Sequence, residues 1–251
     1  MPGTTHNYAR ASCWAFSSKL LVFASLLGVT NLMAQRVFEK GENVVYEDVG
    51  KHRINLGKGL SPVLTADGKV ALIRGRRFFY GEEFDCRHTE TKNWIALYDP
   101  LTTKEKTIFN RSLDYDRDGI RFCIFEQIQL SHDVSTLYLV SPVYATSGSL
   151  AIVNLARGAV TFIPGVNEVY VIETGPHRDE LIYVRRTLRK RTEDDIDSPT
   201  YPFIHARANG DVIAEISNES FTVGGNDKVP LLRAYLRKLD GTITVNGRSL
   251  P

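Results

Sequence analysis

Four hairpins recur at a nearly fixed interval, and this repetition restricts the fold more than any other property of the chain. VVYEDVGKHRINL begins at Val44, IALYDPLTTKEKTIF at Ile95, LAIVNLARGAVTFI at Leu150 and FIHARANGDVIAEI at Phe203, so successive starts lie 51, 55 and 53 residues apart. A second unit falls between them: SPVLTADGKVALI from Ser61, QLSHDVSTLYLV from Gln129 and, more loosely, YVIETGPHRDELIYV from Tyr170. One unit of each kind supplies about four strands, and a small sheet repeated at this period buries its apolar faces by stacking on its neighbours.

The expected fold is therefore all-β and β-propeller-like. Three full repeats with a hairpin at each end make about four small antiparallel blades, in a closed ring or an open, partial one. Closure can join the first hairpin to the last. From residue 44 onward, short runs of Val, Ile, Leu, Tyr and Phe alternate with polar residues, and no long stretch keeps an apolar period of 3.6. VPLLRAYLRKL, Val229 to Leu239, is the one segment that reads as a helix, and its Leu-Asp-Gly-Thr exit suits a hairpin equally. Turn glycines mark the strand ends at Asp67-Gly68, Arg157-Gly158, Asn209-Gly210 and Asp240-Gly241.

VVYEDVGKHRINLGKGLSPVLTADGKVALI resembles a TolB-type propeller repeat, in which a strand leads through a Ser-Pro-Asp-Gly-Lys-like turn into an apolar strand. Asp67, Gly68 and Lys69 match that turn. Pro62 sits several residues early, and the next unit carries Asp133, Val134 and Ser135 in place of Asp-Gly-Lys. The resemblance runs over roughly residues 44 to 217 and implies a scaffold without naming an activity.

Residues 1–34 differ from the rest. Arg10 and Lys19 precede the run LLVFASLLGV, no acidic residue occurs, and only 16 uncharged residues separate Lys19 from Arg36. A spanning helix needs about 20 apolar residues. The segment reads as a signal peptide, with the mature chain, residues 35–251, starting near Gln35; an uncleaved amino-terminal anchor is the alternative and the one route to the membrane. Localisation is then export, to the periplasm or the outside.

The chain holds 31 Lys and Arg against 29 Asp and Glu, and the signal carries two of the basic residues and none of the acidic ones, so the mature part is electrically neutral. A neutral surface lacks the excess of cations that phosphate binding uses, which argues against a nucleic-acid partner. The basic run Arg185, Arg186, Arg189, Lys190 and Arg191 passes directly into Glu193, Asp194, Asp195 and Asp197, the pattern of a solvated loop. Cys86 and Cys123 are the thiols left after the signal. In an oxidising compartment they are expected to pair; two separate buried thiols is the other reading.

SLDYDRDGIRF, residues 112–122, sets Asp114, Asp116 and Asp118 before Gly119, the opening of a calcium loop. An EF-hand would put a glutamate at the twelfth position, where Phe125 stands, so that motif is excluded. Two readings stand: a calcium site of another kind, or a polar hairpin turn in which Asp118-Gly119 needs no ion. No other cofactor is implied.

Catalytic motifs are missing: no G-x-S-x-G, H-E-x-x-H or G-x-x-x-x-G-K occurs. His52, His88, His132, His177 and His205 read as polar residues of turns and strand ends, and GEEFDCRHTETKN, Gly81 to Asn93, as a loop of the first blade. The leading function is binding of another protein or an envelope component, without catalysis. A hydrolase or lyase assembled from loop carboxylates, Glu82, Glu83 and Asp85 with Asp114 to Asp118, is the alternative.

Overall fold

The computed structural model describes residues 35–75, 92–115, 120–144, 147–189, 198–216, 228–245 and 248–251. The first sheet joins β1 (Arg36–Lys40), β2 (Asn43–Glu47) and β3 (Arg53–Lys58). The second joins β4 (Leu60–Leu64), β5 (Val70–Arg74), β6 (Trp94–Asp99) and β7 (Lys104–Phe109). A small hairpin, β8 (Leu113–Tyr115) and β9 (Ile120–Phe122), precedes the third sheet of β10 (Gln127–Leu130), β11 (Thr136–Tyr144), β12 (Ser147–Asn154) and β13 (Val160–Pro164).

The fourth sheet takes β14 (Val166–Val171) and β15 (Leu181–Arg185), then skips a ribbon of β16 (Thr187–Arg189) and β17 (Ser198–Thr200) to reach β18 (Phe203–Ala206) and β19 (Val212–Ile216). Helix α1 (Lys228–Leu239) and the hairpin β20 (Ile243–Val245) and β21 (Arg248–Leu250) end the chain. All pairings are antiparallel meanders, and β1, β4, β10, β14 and β20 touch in succession. Four antiparallel sheets stacked in this order make a four-bladed β-propeller arrangement.

Each interior blade is buried on both faces, and its second strand shows it. In β5, Ala71 and Ile73 pack toward the third sheet, while Val70 and Leu72 pack toward the first. In β11, Leu137 and Leu139 face the second sheet, and Tyr138 and Val140 face the fourth. In β15, Leu181 and Tyr183 face the third sheet, and Ile182 and Val184 face α1. These strands are therefore continuous apolar runs, the pattern of two-sided burial.

The ends of the stack are treated differently. Leu232 and Leu236 of α1, with Ile243 and Leu250 of the last hairpin, cover the outer face of the fourth sheet through Ile182, Val184, Phe203 and Ile216. The segment from Val229 is thus helical. Asp240 ends it in the left-handed conformation, φ 52°, and Gly241 N–H donates to Leu236 O at 3.1 Å, so Asp240-Gly241 is a helix exit rather than the hairpin turn its composition suggested. The last hairpin pairs with itself and not with the first sheet, so among the described residues no hydrogen-bonded ladder joins the chain's two ends.

Candidate functional site: an uncovered blade face and a histidine cluster

The first sheet packs one face on its neighbour through Val37, Val44, Tyr46 and Leu56. Strand alternation sends Arg36, Phe38 and Lys40 of β1, Asn43, Val45 and Glu47 of β2, and Arg53 and Asn55 of β3 to the other face. Neither Phe38, half-buried, nor Val45, 8% exposed, packs in any of the clusters between the described sheets. With Lys40, Asn43, Arg53 and Asn55 they line an open concavity of about 340 Å³.

Glu47 organises the charge there. Its side chain is 6% exposed and accepts from Arg53 Nε at 2.6 Å and from Arg36 Nε at 2.8 Å. Arg53 first, with Arg36 adding to it, holds the Glu47 carboxyl below the usual carboxylate range against burial, which pushes the other way. Both guanidiniums sit over the Phe38 ring, at 5.5 Å for Arg36 and 6.0 Å for Arg53, and their side chains stay more than half exposed. One carboxylate stands among three cations, Arg36, Lys40 and Arg53, around a half-buried ring.

The second cluster lies on the outer side of the fourth sheet. His205 of β18 is 1% exposed. Its Nε2 is 2.7 Å from Glu180 Oε2, the same oxygen that lies 2.8 Å from His177 Nδ1, and its Nδ1 is 2.9 Å from the Tyr235 hydroxyl of α1. Sequence reading placed both histidines among ordinary turn and strand-end residues and did not connect them. One signal is in the repeat itself: with Leu150 and Phe203 aligned as starts, His205 falls where the previous repeat has Ile152, a polar residue in an apolar position.

The other predicted residues are dispersed. Asp114 lies in β8 with its backbone opposite Arg121, while Asp116 and Asp118 lie outside the described residues, as do Cys86, His88, Glu82, Glu83 and Asp85. Cys123 follows β9 and is buried; its carbonyl accepts from Asn93 N–H at 2.9 Å. His52 is exposed beside Asp48 at 3.3 Å, and His132 contributes its backbone N–H to Asp179 Oδ1 at 2.6 Å. Among the described residues no helix is long and apolar enough to cross a membrane.

Three solved structures are similar to this chain. The β-propeller domain of the trilobed protease from Pyrococcus furiosus, described as having an open velcro topology, is 14% identical with a TM-score of 0.42, over 70% of this chain and 48% of that one. TolB from Acinetobacter baumannii is 14% identical with a TM-score of 0.46, over 86% and 51%. Hydrazine synthase from Kuenenia stuttgartiensis is 14% identical with a TM-score of 0.43, over 72% and 50%. The likeness is one of fold. The chain spans about half the length of these structures. No family model matches the sequence, and no curated protein matches it.

Proposed function

We propose that this is an exported β-propeller protein that binds another protein or an envelope component, and that it does so through the uncovered face of the first blade. The observation that carries the reading is the asymmetry of the stack. The fourth sheet has its outer face sealed by α1 and the last hairpin, whereas Phe38 and Val45 on the first sheet face a concavity. A blade face with a half-buried aromatic and flanking arginines has the composition of a docking surface, where aromatic and Arg side chains dominate binding energy. Three cations against one carboxylate fit an acidic protein surface that offers an apolar side chain to Phe38. Export is supported by the first 34 residues, which combine Arg10 and Lys19 with a short apolar run.

A photo-crosslinker placed at exposed Asn55 tests the reading in envelope extracts, with one at exposed Lys106 on β7 as the control. The expected result is an adduct to one acidic protein from Asn55 and not from Lys106, lost in Arg53→Glu and weakened by raised salt. Adducts that form equally from both positions, survive Arg53→Glu, or join only residues of the chain itself would overturn it.

A further inference from the structure

We infer that His177, Glu180 and His205 form a zinc-binding centre, with Tyr235 orienting His205 from behind. The site lies on the fourth sheet, away from the first-blade face, and does not depend on the docking reading.

Three elements converge on one point. His177 and Glu180 come from the connection between β14 and β15, His205 from β18 and Tyr235 from α1. The ligand atoms, His177 Nδ1, Glu180 Oε2 and His205 Nε2, all lie within 4.8 Å of one another. Two imidazoles and one carboxylate are the donor set that suits zinc, and three protein ligands leave one position of a tetrahedron for water. Ligands at about 2.0–2.2 Å from a tetrahedral ion lie roughly 3.3–3.5 Å apart. Glu180 Oε2 stands 2.8 Å and 2.7 Å from the two nitrogens, so each of these pairs opens by about 0.5–0.8 Å to admit the ion, while the two nitrogens already lie within 4.8 Å of each other.

The protonation states agree. Without an ion, one consistent arrangement has Tyr235 O–H donating to His205 Nδ1, while His205 Nε2–H and His177 Nδ1–H donate to Glu180. An ion requires only that the two rings present lone pairs in place of these N–H groups: His205 then donates Nδ1–H to the tyrosine oxygen and presents its Nε2 lone pair, and His177 presents Nδ1. The Nδ1 contact to Tyr235 is the outer hydrogen bond by which metal-bound imidazoles are held in orientation.

The connection carrying His177 and Glu180 is fixed rather than free. Gly175 has φ 80°, and a Cβ there would meet Asp240 O at 2.1 Å. Asp179, at φ 68°, donates its N–H to Ile172 O at 2.9 Å, and Glu173 N–H donates to Thr242 O at 2.7 Å.

The test is zinc binding by the purified full chain after chelator treatment. One zinc per chain is expected by calorimetry, a melting temperature that rises with Zn²⁺ and not with Mg²⁺, and visible absorption of a four-coordinate site on Co²⁺ loading. Glu180→Gln, which keeps shape, and His177→Ala, at a half-exposed position, should each lower zinc affinity at least tenfold. Tyr235→Phe should lower it by about 10- to 100-fold. Zinc bound with unchanged affinity by the folded Glu180→Gln chain, or no stoichiometric zinc in the unsubstituted chain at micromolar Zn²⁺, would overturn the centre.

Discussion

Gly68 and Val134 take the fourth position of corresponding turns in successive blades, the second turn one residue longer, although one is glycine and the other is β-branched. Thr65 Oγ1 donates to Asp67 Oδ1 at 2.6 Å and Gly68 N–H to Thr65 O at 3.0 Å; Ser131 Oγ donates to Asp133 Oδ1 at 2.6 Å and Val134 N–H to Ser131 O at 2.9 Å. Both residues have positive φ, 80° for Gly68 and 58° for Val134. The hydroxyl and carboxylate hold the turn, and glycine only makes it easier.

Gly68→Val should therefore preserve the fold and destabilise it by about 1–2 kcal/mol, the cost of a left-handed L residue. Val134→Gly should shift stability by less, because relief of that conformation is offset by lost contact with the core between the second and third sheets. Denaturant unfolding of the two variants checks this, and a Gly68→Val chain that fails to fold, or loses much more than about 2 kcal/mol, would show that glycine itself and not the hydroxyl and carboxylate holds the turn.

The repeat was legible because it is written in local chemistry: turn residues at fixed offsets between apolar runs. What local pattern could not show is direction. VALI in β5 and LYLV in β11 are apolar throughout because both faces are covered, so no alternation says which neighbour each residue meets. The segment from Lys228 to Leu239 fits helix or hairpin until Leu232 and Leu236 find the fourth sheet. His205 was visible as a polar residue in an apolar slot, but His177 and Glu180 lie 28 and 25 residues earlier and meet it only through the pairing of β15 with β18. That no described element covers the outer face of the first sheet follows from the order in which blades stack.

The Asp133 turn should give a measurable acid dependence. The Ser131 hydroxyl first, and then the Ser135 backbone N–H, hold its carboxyl at about 2, below the ordinary value of 3.8. A depressed carboxyl stabilises the fold fully above the unfolded value and loses that contribution as pH falls from about 4 toward 2. Asp133→Asn should remove this part of the slope, so the stability difference between the two chains should shrink on acidification. A difference that stays constant from pH 5 to pH 2 would contradict the role of Asp133.

Intact mass of protein from its natural compartment should give a chain beginning near Gln35 with one bond between Cys86 and Cys123. Asn93 N–H on Cys123 O returns the chain beside Cys123 only seven residues after Cys86, within reach of an extended segment at about 3.3 Å per residue. Two thiols that alkylate without reduction would remove the bond, and a retained amino terminus would make the first segment an anchor.

Millimolar calcium should leave the melting temperature unchanged, and Asp114→Asn with Asp116→Asn should be neutral or slightly stabilising. The backbone pairing of Asp114 with Arg121 is that of a hairpin, and neighbouring carboxylates in such a turn repel. A calcium-dependent rise abolished by the double substitution would instead establish an ion at these aspartates.

The two ends of the stack should respond unequally to truncation of a single large side chain. Leu236 has no exposed surface and sits among Ile182, Val184 and Phe203, so Leu236→Ala leaves a cavity between α1 and the fourth sheet and should cost about 2–5 kcal/mol. Phe38 lies on the uncovered face between Arg36 and Arg53, where cation–π contact at an exposed site contributes about 0.5–1 kcal/mol, so Phe38→Ala should cost about 1 kcal/mol or less. Urea melts of the isolated chain measure both. Crosslinking from Asn55 then gives the complementary reading, in which Phe38→Ala reduces capture and Leu236→Ala, below its melting temperature, does not. Equal stability losses would mean that Phe38 is covered as fully as Leu236, and the first-blade face would no longer be available to a partner.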